Sequence, residues 1–465
     1  MVAAIALACH LGLLIWAQNA FAGPESVVAA QSQMLARDGT LYYDLNRDPY
    51  TVCAYTPLFY LLESGLLRTG LAAITAGRLL SFAALLGIVF LSRRILLVYT
   101  RDRDLAWIAA LLTASTSLLE NWGTVGQVDT LAVFFAIAAF YAFSGDSLVL
   151  AGVLAGAAFF TKQTMLACPA AIFVTLWLRD RKRALRWAVM LGGAVGAIAL
   201  AINFATSGRF LADTIRANLN PFALEKLKPQ AMVLIGAGQM ILILVCGLKP
   251  GWRAARPLFL YLGFAAAVFL LTAAKIGSDT NYQIELTILL ILAACVTLHA
   301  LDFLPLTFAG SKRWITLLQI PLAVHLVLNF RMTKNLLLSR IGIEQEFRAE
   351  IASLRPLVSD GGRLLSADYN ASERLRGSMD VEPLIYNLLV RAGVVDPEPL
   401  RREIAAGAFS TILLFEDVTH PGTATDAETS TLPATQLSEI RRRYRLAAHL
   451  DSPYPGGVFV YKPLP

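Results

Sequence analysis

Long apolar runs separated by short polar gaps dominate the chain. A helix needs about 20 apolar residues to cross about 30 Å of hydrocarbon. The pattern predicts eleven spans: Val2–Phe21, Leu71–Val98, Leu105–Leu119, Val128–Phe143, Leu148–Phe160, Met165–Leu178, Ala184–Phe204, Met232–Leu248, Pro257–Ala274, Ile284–Leu301 and Trp314–Asn329. Breaks at Gly145 and Lys162 divide an otherwise near-continuous apolar stretch. The first run ends near Ala20-Phe21-Ala22 as a signal peptide would, but it lacks a basic leading region. It is therefore read as a retained helix.

Basic residues resist translocation and collect in cytoplasmic loops. Four clusters do so here: Arg93 to Arg103, Arg179 to Arg186, Lys249 to Arg256, and Lys312 with Arg313. Placing all four inside fixes the N-terminus inside. Segments 22–70, 120–128, 161–164, 205–231 and 275–283, and everything after 330, then face outward. Parity denies a crossing to the apolar stretch Pro57–Thr69, which Glu63 and Arg68 interrupt. It reads as a helix lying in the outer interface, like the amphipathic stretch Ser26–Arg37. The first outer loop, 22–70, is thus long and structured, as functional loops are.

After Asn329 the apolar runs shorten and acidic residues multiply. Arg363–Ser366, Thr411–Phe415 and Val458–Tyr461 read as strands, and Glu382–Arg391, Glu398–Ala406 and Gln436–Ala447 as helices. Pro421–Ser430 reads as a polar loop. The expected architecture is a polytopic α-helical membrane domain, 1–330, followed by a small soluble extracytoplasmic α/β domain, 331–465.

Composition agrees. Of 465 residues, 56% are hydrophobic and 16% charged, with mean hydropathy +0.58. Soluble domains carry about 25% charged residues, so a conventional soluble enzyme and a disordered chain are both excluded. The net charge of +7 follows from the cytoplasmic clusters and gives no ground for a nucleic-acid partner. Five cysteines without a CxxC pair support neither a disulfide framework nor a zinc site.

Ionisable residues at membrane depth are costly and mark function. On the outer side these are Glu25 after the first span, Asp44 in Leu41-Tyr-Tyr-Asp44, Asp129 after a Gly-rich turn, and the cations Arg78, Lys162 and Lys275. Each has an ordinary reading. Glu25 and Asp129 suit a helix N-terminus, Asp44 suits a solvated loop, and Arg78, Lys162 and Lys275 suit snorkelling cations. Together they supply carboxylates to take a proton and cations to hold a departing phosphate.

The ordered series Ala36-Arg37-Asp38-Gly39, Leu41-Tyr-Tyr-Asp44, Tyr55-Thr56-Pro57-Leu58-Phe59-Tyr60, Ala76-Gly77-Arg78-Leu79-Leu80, Gln127-Val128-Asp129 and Gly152 through Thr161-Lys162 resembles the GT-C superfamily of membrane glycosyltransferases. The likeness is to family 39-like members such as protein O-mannosyltransferases and the lipid A aminoarabinose transferase, and it covers roughly residues 1–205. It implies an inverting glycosyltransferase moving a sugar from a polyprenyl-phosphate donor to an acceptor hydroxyl on the outer face, in a bacterial inner membrane. Glu25, Asp44 and Asp129 would be catalytic, with Arg78, Lys162 and Lys275 near the donor phosphate. Many members carry Asp-Glu after the first helix where this chain has Pro24-Glu25, so the base falls to Glu25 or Asp44. Asp129 would orient the acceptor, a lipid, glycan or protein, or join a divalent metal site that the sequence does not require. The alternatives are a flippase of lipid-linked precursors and a non-catalytic subunit of an envelope-glycan assembly.

Overall fold

The computed structural model describes residues 2–218, 222–228, 230, 238–302, 311–358, 361–419 and 431–465. The predicted loop Pro421–Ser430 and the first part of the predicted span Met232–Leu248 lie outside the described residues. The chain divides into two compact units. One comprises 1–11, 79–200 and 220–337; the other comprises 12–78, 201–219 and 338–465. The expected linear boundary near residue 330 therefore differs from the spatial grouping, because residues 12–78 group with 338–465.

The first unit is helical. Val128–Ser144 and Leu148–Thr161 form a hairpin closed by Gly145–Ser147, near the predicted Val128–Phe143 and Leu148–Phe160. The predicted span Leu105–Leu119 ends early. Its helix stops at Ala114, and a second short helix, Ser117–Trp122, follows. Thr113, Ser115 and Thr116 hydroxyls donate to carbonyls three or four residues back, which loosens the helix there.

Among the described residues, Ala73–Thr100, Arg181–Ala205 and Thr280–Leu301 are long and apolar enough to cross a membrane, and five further apolar helices are shorter. In Arg181–Ala205 only Ala184 and Trp187 are buried, while Val189, Leu200 and Phe204 are exposed at 71%, 66% and 89%. Soluble proteins do not leave such a continuous apolar face in water, so this helix fits a lipid surround.

The second unit contains a four-stranded sheet of β1 (Arg363–Ser366), β2 (Phe409–Leu414), β3 (Tyr444–Leu450) and β4 (Val458–Pro463). The strand order is β1-β2-β4-β3; β1 and β2 are parallel and the other pairs antiparallel. The predicted helix Gln436–Ala447 ends at Arg443, and β3 follows at once. β3 was missed because it is an edge strand with few buried side chains, so its hydrophobic alternation is weak.

Segment 22–70 is tied into this unit by backbone pairing. Tyr50 N–H donates to Asp380 O, and Glu382 N–H donates to Tyr50 O. Leu45, Tyr50 and Val52 join Leu365, Ile412 and Tyr461 in one apolar core. Ser26–Arg37 lies within the helix Gly23–Asp38, and Pro57–Thr69 contains the helix Leu58–Leu67. Ten residues reach about 15 Å at 1.5 Å each, about half the hydrocarbon thickness.

Candidate active site

In the first unit, Asp129 sits in the first turn of Val128–Ser144, and Lys162 is the residue closing Leu148–Thr161. The hairpin brings these ends together. Lys162 Nζ donates to Asp129 Oδ1 at 2.5 Å, with both side chains almost wholly buried. Each charge also sits on the helix end whose dipole favours it: carboxylate at an N-terminus, ammonium at a C-terminus. The ammonium lies 4.0 Å from the centroid of the Tyr282 ring, a cation–π distance.

A cavity of about 20 Å³ adjoins this pair, lined by Asp129, Lys162, Thr164, Asn281, Tyr282 and Glu285 among apolar neighbours. That is room for about one water. Asp129 Oδ2 and Asn281 Oδ1 are buried there without a hydrogen-bond partner among the described residues. Glu285, at the start of Ile284–Asp302, accepts from the Tyr261 hydroxyl at 2.5 Å. The turn carrying Asn281 and Tyr282 is fixed by Trp122 Nε1, which donates to Thr280 Oγ1 at 3.0 Å. Lys275 begins this segment. Its backbone pairs with Phe222, and its half-buried ammonium has no partner among the described residues.

In the second unit, Arg78 and Glu25 form a fully buried fork. Arg78 Nε donates to Glu25 Oε1 at 2.8 Å and Nη2 to Oε2 at 2.9 Å. Two more donors reach Ala17 O and Asn19 O, and Phe21 N–H donates to Glu25 Oε2. The Phe21 ring packs 3.7 Å from the guanidinium. Pro24 stands at the start of the helix Gly23–Asp38, where its missing N–H costs nothing. The arrangement anchors the chain between the first helix and the helix Gly23–Asp38. Asp44, by contrast, is partly exposed, beside Arg47 at 3.6 Å and accepting from Asn46 N–H.

The six residues singled out from sequence thus include two intimate pairs, Asp129 with Lys162 and Glu25 with Arg78, together with Asp44 and the unpartnered Lys275. Asn281, Tyr282 and Glu285 carry no role in the sequence-based reading of the site. The signal available was a polar run directly preceding an apolar helix.

Further acids are buried in the second unit, among them Glu63, Asp213 and Glu382. Glu63 accepts from Ser32 Oγ at 2.6 Å, and burial pushes it up to about 8. Burial likewise raises Asp213, which accepts from Cys53 N–H, and Glu382, which accepts from Val52 N–H, each to about 8. Among the described residues no three His, Cys, Asp or Glu side chains converge as a metal site.

The model of glycosyltransferase family 87 matches residues 54–298, over half of the chain. The chain belongs to glycosyltransferase family 87. Two crystal structures of ArnT from Cupriavidus metallidurans, one bound to undecaprenyl phosphate and one apo, are similar in fold. Each aligns at TM-score 0.66 and 13% identity over 99% of this chain, and over 97% and 96% of theirs. No curated protein sequence matches. This family 87 chain is therefore a membrane glycosyltransferase of the GT-C superfamily expected from its motifs. The expected likeness was to family 39, whereas the matching family model is family 87.

Proposed function

We propose that this glycosyltransferase takes its sugar from a polyprenyl-phosphate donor and transfers it, with inversion, to an acceptor hydroxyl on the outer face of a bacterial inner membrane. The supporting observation is the buried polar cavity beside Asp129 and Lys162, set among apolar helices, with acceptor oxygens left unpartnered. Asp129 Oδ2 takes the proton from the acceptor hydroxyl. The hydroxyl oxygen attacks the anomeric carbon, the bond from that carbon to the phosphate oxygen breaks, and polyprenyl phosphate leaves with the bonding pair. Lys162 holds Asp129 in place, while Lys275 receives the phosphate. Asp44 is the second carboxylate of the reading. Glu25 and Arg78 act by fixing the chain entry to the first outer loop.

The cavity accommodates about one water. In this reading segment 331–465 lies outside the cytosol, and the acceptor is a lipid, glycan or protein. Purified protein in detergent, given a polyprenyl-phosphate sugar and candidate acceptors, should consume the donor and give a product of inverted anomeric configuration. Asp129→Asn should abolish this. A product of retained configuration would overturn the mechanism, and full turnover by the variant would move the base elsewhere.

A further inference from the structure

The helices Gly238–Ala254 and Arg256–Thr272 meet at a tight corner. Near it the first helix is broken: Gly247 departs from helical geometry, and Pro250 has no N–H for the carbonyl of Cys246. One side of this helix packs hard on Ile284–Asp302, because a Cβ at Gly247 would fall 2.3 Å from Thr297 Cγ2. Among the described residues the other side is left open. There a groove of about 930 Å³ runs along Val245, Leu248, Phe259, Leu262 and Ala266, and Val245 and Leu248 are 73% and 55% exposed.

One end of this apolar groove carries Lys249, Arg253 and Trp252, with Arg256 beside the Trp252 ring. No Asp or Glu occurs between Glu225 and Asp279. Lys249 and Arg253 have no hydrogen-bond or ion-pair partner among the described residues, and both are exposed. From Arg256 to Thr272, which lines the Asp129 cavity, the helix rises about 24 Å at 1.5 Å per residue. The cationic end of the groove therefore lies at the other end of this helix from Thr272, while its apolar part runs up to Ala266, next to Ala265 of the cavity lining.

An apolar channel capped by cations and an amphipathic indole has the chemistry of a membrane lipid with an anionic headgroup. Basic pockets between membrane helices favour such headgroups, and Trp favours the headgroup level. We infer that this groove binds an anionic phospholipid, its phosphate held by Lys249 and Arg253 and an acyl chain laid along Val245, Leu262 and Ala266. The inference does not depend on which sugar or donor the active site uses.

The test uses the full chain, delipidated in detergent, with native mass spectrometry counting bound lipid. Phosphatidylglycerol, phosphatidylcholine with the same acyl chains, undecaprenyl phosphate and inorganic phosphate are the probes. Phosphatidylglycerol should bind one per chain more tightly than phosphatidylcholine, and Lys249→Ala with Arg253→Ala should weaken it roughly twentyfold. Ala266→Trp, which fills the groove and keeps both cations, should also abolish retention. Unfolding temperature without lipid controls for folding of each variant. Equal retention by wild type and both variants, or equal affinity for the two phospholipids, would overturn the inference. So would retention of undecaprenyl phosphate in preference to phosphatidylglycerol, or full competition by inorganic phosphate.

Discussion

Asp129 and Lys162 close the open end of a single helical hairpin, 2.5 Å apart and almost fully buried. Asp129 lies 16 residues before Gly145, and Lys162 lies 16 residues after Asp146. Equal arms return the cation to the carboxylate whatever else packs around them.

Removing one member of that pair should expose its cost. Lys162→Met leaves a buried carboxylate uncompensated and should destabilise the protein by about 3–5 kcal/mol. The double change Asp129→Asn with Lys162→Met should recover most of that stability without recovering sugar transfer. Thermal unfolding in detergent beside a transfer assay separates the two effects. Wild-type turnover in the double variant would remove Asp129 from the chemistry.

Arg78→Lys keeps the charge and loses the fork. Lysine cannot reach both Glu25 oxygens and two backbone carbonyls at once. A loss of about 2 kcal/mol or more is expected, read as a lower unfolding temperature. Glu25→Gln should likewise reduce stability more than kcat. The opposite order, an intact fold with no turnover, would return Glu25 to the role of base.

Asp213, Glu382 and Glu63 each sit near 8 in the folded protein, against about 4 when unfolded. The native state holds more protons between those values, so stability is full below about pH 4 on this account and declines as pH rises toward 8. Unfolding temperatures measured from pH 5 to pH 9 should fall, and Asp213→Asn with Glu382→Gln should flatten the slope. An unchanged slope would place those acids in an ionised state.

Gly251 faces Thr297 so closely that a Cβ would fall 2.4 Å from Thr297 Oγ1. Gly251→Ala should cost about 1–3 kcal/mol through overpacking. Adding Thr297→Ala should restore part of it, as measured by unfolding temperature. Independent, additive losses would mean that the two helices do not meet there.

Much of the fold was legible because its signal is local. Apolar run length placed the helices Val128–Ser144, Leu148–Thr161 and Ile284–Asp302 within a residue or two. Strands β1 and β4 stood out as short apolar runs between polar breaks. β3 did not, since an edge strand with an exposed face carries little hydrophobic pattern.

The sequence alone determined that this chain is a membrane protein, that its carboxylates and cations at membrane depth deserve a chemical reading, and that its motifs resemble membrane glycosyltransferases. Tertiary structure decided which charges neutralise one another. Arg78 is committed to Glu25 and two carbonyls, whereas Asp129 keeps one oxygen unpartnered in a cavity. It also joined residues 12–78 to 338–465. Those outcomes depend on hydrogen bonds and burial between segments tens to hundreds of residues apart, and one-dimensional hydrophobic periodicity carries no record of such pairings.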